Sequence, residues 1–388
     1  MKYIGPDFCN ITTLLTDEEL LIQKTANEFV TKEFMPLVNE YYEKGSFPVD
    51  LIPKMGELGF FGATLPKKYG GSEISSTAYG LIMQELEKGD SGLRSVCSVQ
   101  GGLVMYPIFQ YGTEEQKDKW LPKLASGKAV GCFGLTESNH GSDPGGMTTK
   151  AVKDGDNFKI SGEKTFVIDG HTAGLLIVAA RTDGSIDDSS GISLFLVDPN
   201  SKGIEITKTS MVDSRNAASI QFKDAIVSSS EILGEQNNGA GILEEVLDRA
   251  QIAISAEMLG NASQAFDITL EYLKERKQFG AVIGTFQALQ HRAAEMYSEL
   301  ELTKSSVIAA CNAVDENSND LKRMASLAKF KAGETNYLVT NEAVQMHGGV
   351  GVTDEYDVGL YMKRARVTEQ IFGNSEYHLD RYATLSDY

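Results

Sequence analysis

The chain has 388 residues, enough for about two or three domains. Charged residues make up 23% and hydrophobic residues 41%, an ordinary globular composition. A net charge of −18 argues against nucleic acid or an anionic membrane surface as a partner.

In chain order, the opening MKYIGPDFCNITTLL has no basic segment followed by an apolar run and no arginine, so neither a signal nor a transit peptide is expected. Thr16-Asp-Glu-Glu19 reads as a capping box before an amphipathic run from Leu20 to Tyr42, which Pro36 is expected to kink or break. Helical patterns follow over Ile52–Leu58, Ser76–Lys88 and Gly92 to about Phe109. Near Val130 the period changes. The runs NFKISGEKTFVIDG, AGLLIVAA, GISLFLVD, GIEITKT and ASIQFKDAIVS are rich in Val, Ile, Phe and Thr, with turn residues between them. NNGAG at 237–241 closes this β unit, and the helical period returns from Ile242. The reading is an α+β chain with three domains: residues 1–129 helical, 130–237 β, and 238–388 helical. Cys9, Cys97, Cys132 and Cys311 lack CxxC spacing and are expected to be reduced thiols of a cytosolic compartment. The five histidines have no metal spacing, and no apolar run is long enough to span a bilayer.

Four segments, GCFGLTESNHGSDPGGM (131–147), ISGEKTFVIDG (160–170), YLKERKQFG (272–280) and QMHGGVGVTDEY (345–356), occur in an order and spacing that resembles the acyl-CoA dehydrogenase flavoprotein family. EKGDSGLRSVCSVQ (87–100) is most similar to the glutaryl-CoA dehydrogenase branch. The resemblance implies a helical N-terminal domain, a β-barrel-like middle domain and a C-terminal four-helix bundle. It also implies FAD, an acyl-CoA thioester, a homotetramer and electron-transferring flavoprotein as electron acceptor. Residue by residue, it assigns Phe133, Leu135 and Thr136 to the flavin edge, and Gly141 and Ser142 to the flavin phosphates and acyl-CoA. Arg276 is assigned to the FAD pyrophosphate of a neighbouring subunit. Gln345, Gly348 and Gly349 fall to the adenine side, with Gln278, Phe279, Gln287 and Asn374 as further cofactor candidates. Asp248 and Gly373 join Ser142 and Arg94 as substrate contacts. In TFVID the family's Trp and hydroxyl positions are Phe166 and Ile168, so ring stacking survives but a side-chain hydrogen bond to the flavin does not.

A second departure concerns the base. Family members remove the proton α to the thioester with a Glu in a segment like TEIYEGT; here VTEQIFGNS places Phe372 there. Some members use instead a position on the helix opening the C-terminal domain, which here is Ala250, followed by Gln251 where an Arg is usual. An α,β-unsaturated thioester has its acidic hydrogen at the γ-carbon, so a relocated base suits such a substrate. Asp90, in the segment that lines the acyl pocket of the glutaryl branch, is the candidate; the other reading makes it a helix N-cap paired with Arg94. The pattern is similar to that of cyclohex-1-ene-1-carboxyl-CoA dehydrogenases, with Phe372 facing a carbocycle. Glutaryl-CoA dehydrogenation and a non-catalytic flavin or acyl-CoA binding protein are the alternatives.

Overall fold

A computed structural model describes residues 7–89, 96–140, 143–186, 188, 190–214 and 216–388. The chain divides into two compact units: Met1–Val38 with Ser75–Arg94 and Gln251–Tyr388, and Asn39–Ile74 with Ser95–Ala250.

Helix α1 spans Asp17–Phe29. Its start is the expected capping box: Glu19 N–H donates to Thr16 Oγ1 at 3.2 Å, and Thr16 N–H to the Glu19 carboxylate at 2.8 Å. The helix gives way earlier than Pro36. It widens into a π turn over Val30–Phe34 and tightens into a 3-10 turn over Met35–Leu37 before α2, Val38–Lys44. A proline ring clashes with the carbonyl four residues upstream, so the disturbance reaches back into the preceding turn. After α3 (Leu51–Glu57) comes α4 (Ser76–Gly89). Asp315 caps α4, its carboxylate accepting from Ser76 N–H at 2.7 Å and Thr77 N–H at 3.4 Å.

Helices α5 (Tyr106–Tyr111) and α6 (Glu114–Ala125) precede the sheet. The strands are β1 (Gly131–Gly134), β2 (Lys150–Asp154), β3 (Asn157–Ile168), β4 (Leu175–Arg181), β5 (Ile192–Val197), β6 (Ile204–Ser210), β7 (Asn216–Ser228) and β8 (Ile232–Leu233). Their order is β6-β7-β3-β2-β4-β5-β8, with β1 parallel to β4. The inward residues Phe158, Ile160, Val178, Phe195, Ile220 and Phe222 form its core. The register of β3 on β7 slips between Lys164 and Val167, so Thr165 and Phe166 bulge out of the ladder, Phe166 at φ +52°.

Helix α7 runs unbroken over Gly239–Glu275. A hairpin of β9 (Lys277–Gln278) and β10 (Ala281–Val282) turns at Phe279 and Gly280, both with positive φ. Then come α8 (Gln287–Asp315), α9 (Leu321–His347), α10 (Val358–Gln370) and α11 (Ser375–Thr384), with α9 packed against the other three. Ala325, Ala328, Ala332, Thr335, Val339 and Ala343 recur at three to four on its buried face. Among the described residues no helix is long and apolar enough to cross a membrane, and no acidic, His or Cys cluster could hold a metal. Cys97, Cys132 and Cys311 are buried free thiols and Cys9 an exposed one.

Candidate active site

In the unit that holds the sheet, β1 carries Phe133 in the core and leads into the half-buried Leu135 and Thr136. The bulge returns to this segment: Thr165 N–H donates to the Thr136 carbonyl at 2.8 Å. Beneath it Lys164 Nζ donates to the Leu135 carbonyl at 2.9 Å and to Glu137 Oε1 at 2.7 Å, both side chains being buried. Glu137 also accepts from the N–H and hydroxyl of Thr148 and from Thr149 N–H. Burial would raise the Glu137 carboxyl, but the Lys164 ammonium and the Thr148 bonds hold it down at about 2. Burial dominates at Lys164 and pushes its ammonium down to about 8 despite the pairing. Leu135 and Thr136 therefore sit on an ion pair, which the sequence reading did not single out.

Phe166 is 60% exposed on this bulge, and Ile168, half-buried, lies opposite Ala217. Thr165 Oγ1 and Asn216 Oδ1 are buried without a protein hydrogen-bond partner on either side of them. Unsatisfied buried polar atoms next to an exposed aromatic fit the edge of a planar, hydrogen-bonding cofactor such as flavin. Asp248, on α7, is 2% exposed. Gly141 and Ser142 lie outside the described residues.

In the other unit, Arg276, Gln278 and Phe279 stand exposed where α7 meets the hairpin, Phe279 at 90%. Its ring meets that of Phe286, which precedes the exposed Gln287. Tyr272, one turn before Arg276, stacks on His347 with ring centroids 4.2 Å apart and donates its hydroxyl to the His347 carbonyl at 3.2 Å. That contact brings the hairpin and the Gln345–Gly349 segment to one end of the unit. A Cβ placed on Gly348 or Gly349 would touch nothing within 4 Å, so the glycines leave an open approach to the backbone, and Arg276, one turn after the Tyr272 that stacks on His347, is exposed. This pairing fits a phosphate-bearing dinucleotide.

The turn after α10 holds Phe372 at φ +60° and Gly373 at φ +100°. Phe372 is half-buried and packs, with Ile371, on Ile254, Met258 and Ala332. Asn374 Oδ1 caps α11 by accepting from Tyr377 N–H at 3.0 Å. Ala250 is buried on α7. Asp90 and Arg94 lie outside the described residues. The helix leading to Asp90 is braced from α10: Tyr361 Oη donates to the Lys88 carbonyl at 2.8 Å, and Arg364 Nε to Glu87 Oε1 at 2.9 Å. Sequence reasoning missed this buried pair. Charged residues at 87 and 364, each within an apolar helical pattern, were the available signal.

Three family models cover the chain: acyl-CoA dehydrogenase N-terminal domain over residues 16–128, middle domain over 132–225 and C-terminal domain over 237–384. "Probable acyl-CoA dehydrogenase YngJ" of Bacillus subtilis is 38% identical over 367 residues, 93% of this chain and 96% of that protein. The caffeyl-CoA reductase-Etf complex subunit CarC of Acetobacterium woodii is 36% identical over 366 residues, 93% of this chain and 96% of that protein. The solved structure of a glutaryl-CoA dehydrogenase from Mycobacterium smegmatis in complex with FADH2 matches with a TM-score of 0.92 at 30% identity, over 98% of each chain.

Proposed function

We infer the function from a firm premise: the chain belongs to the acyl-CoA dehydrogenase family. It is an FAD-dependent oxidoreductase acting on a CH–CH bond of an acyl-CoA. The finer reading is oxidation of cyclohex-1-ene-1-carboxyl-CoA to cyclohexa-1,5-diene-1-carboxyl-CoA by 1,4-elimination. The observation that carries it is Phe372, an apolar ring in the turn where a family carboxylate is expected, together with Ala250 at the other base position.

In this reading Asp90 removes the proton from C3, the γ-position, because deprotonation there spreads the charge over an extended dienolate. When bound, FAD supplies the acceptor for the hydride that leaves C6. Leu135, Thr136 and Phe166 would face its flavin, Arg276 its pyrophosphate, and Gln345, Gly348 and Gly349 its adenine side. Phe372 offers the ring substrate an apolar face and leaves no base at C1. Arg276 would reach the cofactor of a neighbouring subunit, which requires at least a dimer and, by family resemblance, a homotetramer. Electron-transferring flavoprotein is the proposed oxidant, in line with a relative named as a subunit of a reductase-Etf complex. A bacterial cytoplasmic setting completes the proposal. Glutaryl-CoA dehydrogenation is the second reading, favoured by Arg94 in the segment similar to that branch and by the glutaryl-CoA dehydrogenase neighbours.

The test is anaerobic mixing of the yellow protein with cyclohex-1-ene-1-carboxyl-CoA and, separately, glutaryl-CoA, for wild type and Asp90→Asn. Flavin absorbance is followed and products identified by mass. Bleaching by the cyclic thioester alone, slowed at least about 100-fold in Asp90→Asn with FAD retained, is expected of a lost general base. Bleaching by glutaryl-CoA alone would transfer the assignment to the second reading.

A further inference from the structure

The turn that carries Phe372 is gripped from several sides, and the meaning of that grip rests on the reading of Phe372 as a wall of the acyl site. A residue with a side chain is disfavoured at φ +60° and persists there only when its surroundings over-determine it. Two fully buried side chains supply that constraint. His378 Nε2 lies 2.9 Å from the Phe372 carbonyl oxygen. A carbonyl only accepts, so Nε2 carries the proton and Nδ1 is left to accept from Ser326 Oγ at 3.4 Å. Lys329 Nζ donates to the Gly373 carbonyl at 2.9 Å and the Glu369 carbonyl at 3.2 Å.

The surrounding contacts close the clamp. Glu369 Oε1 accepts from Ser375 N–H at 2.7 Å, across the same turn. A Cβ on Gly373 would fall 2.4 Å from the Tyr377 ring, so only glycine fits there. Arg381 Nη1 donates to Ser326 Oγ and to Gln251 Oε1, each at 3.1 Å. The chain of bonds thus runs from the Phe372 carbonyl through His378, Ser326 and Arg381 to the residue next to Ala250 on α7. A lysine buried this deeply is costlier than an apolar residue of its volume, and what offsets that cost here is the charge of Glu369 together with the two carbonyls the lysine holds.

We propose that His378 and Lys329 are positioning residues for acyl-group specificity: by gripping the carbonyls of the turn, they fix the Phe372 ring on Ile254, Met258 and Ala332 and so set the preference for a cyclic over a straight-chain acyl group. Neither is assigned as a catalytic residue: the bonds each donates go to backbone carbonyls of the turn.

The experiment uses the FAD-loaded protein, with Asp90→Asn in wild type and variants alike so that the cyclic probe binds without being oxidised, and calorimetric binding of two probes, cyclohex-1-ene-1-carboxyl-CoA and crotonyl-CoA. His378→Leu and Lys329→Met remove the donors, while His378→Gln keeps an N–H that can reach the Phe372 carbonyl. Wild type is expected to prefer the cyclic probe, and each donor-less variant to lose about tenfold of that preference. His378→Gln should recover it to within about threefold of wild type, which a merely structural role would not produce. If His378→Leu does not fold, Ser326→Ala, which frees Nδ1 and removes one of the Arg381 acceptors, is expected to lose part of the preference. An unchanged preference in the folded variants overturns the proposal. A wild type with no cyclic preference instead refutes the substrate reading. The clamp is then judged on crotonyl-CoA affinity: a change in His378→Leu reversed in His378→Gln supports it, and no change overturns it.

Discussion

At residue 372 the proposed function rests on one side chain, a phenyl ring where the family resemblance leads one to expect a carboxylate. If the clamped turn presents whatever side chain stands there, Phe372→Glu restores a carboxylate at the usual base position. Phe372→Glu is expected to bleach with butyryl-CoA, a saturated thioester that the proposed function expects wild type to leave unoxidised, and to lose most of its turnover of the cyclic enoyl thioester. Stopped-flow absorbance of the flavin under argon checks this, and a variant inert toward butyryl-CoA would mean that the turn does not face the α-carbon. His378 gives a second prediction. Burial pushes its imidazole down to about 4 from an ordinary 6.5. Between those values the unfolded chain binds a proton that the folded one refuses, so stability falls as the pH drops from 6.5 toward 4. Urea unfolding at pH 7 and pH 4.5 should show a smaller loss for His378→Gln than for wild type.

Among the elements, the strands of the sheet were legible where β-branched and aromatic residues cluster between turn residues: β3 and β5 fall within such runs, and β4, β6 and β7 overrun theirs by one or two residues. β1 and β2 were not. GCFG is four residues buried throughout, and β2 is short and mostly exposed, so neither shows a period of two. The bulge at Thr165 and Phe166 was equally hidden, because it is a mismatch of register between β3 and β7 rather than a property of either strand. The Lys164–Glu137 pair beneath it carries a stability prediction. Removing one member leaves the other charged and buried, so Lys164→Met is expected to cost about 3–5 kcal/mol and to lower FAD content. Denaturant unfolding and the ratio of flavin to protein absorbance measure both. The pH sign is set by Glu137, held at about 2 against an ordinary 4.5. Its stabilisation is complete above 4.5 and is lost as the pH falls toward 2, and Glu137→Gln should remove that slope.

Across the whole molecule, the proposed function makes FAD a ligand shared between copies. Arg276 is exposed in the single chain, as a residue reaching a neighbour's cofactor would be. Arg276→Ala is expected to weaken FAD binding by about 10- to 100-fold, the worth of a forked charge-assisted pair, and to leave sedimentation mass unchanged. A monomeric wild type that holds FAD tightly would sink the shared-site arrangement.

Sequence alone determined the order of helices, sheet and helices, the capped start of α1, the family, and the absence of a carboxylate at 372 and 250. These depend on local period, on short motifs, or on the identity of one residue. Only the tertiary structure decided that Phe372 occupies a left-handed turn, that Lys329 and His378 hold it, and that Arg364 braces Glu87. Two of these join residues distant in the chain, Lys329 to Gly373 and Glu87 to Arg364. A buried polar side chain on a helix face looks like a surface residue until the partner that satisfies it is known. The partner is chosen by packing, and packing leaves no mark on local sequence.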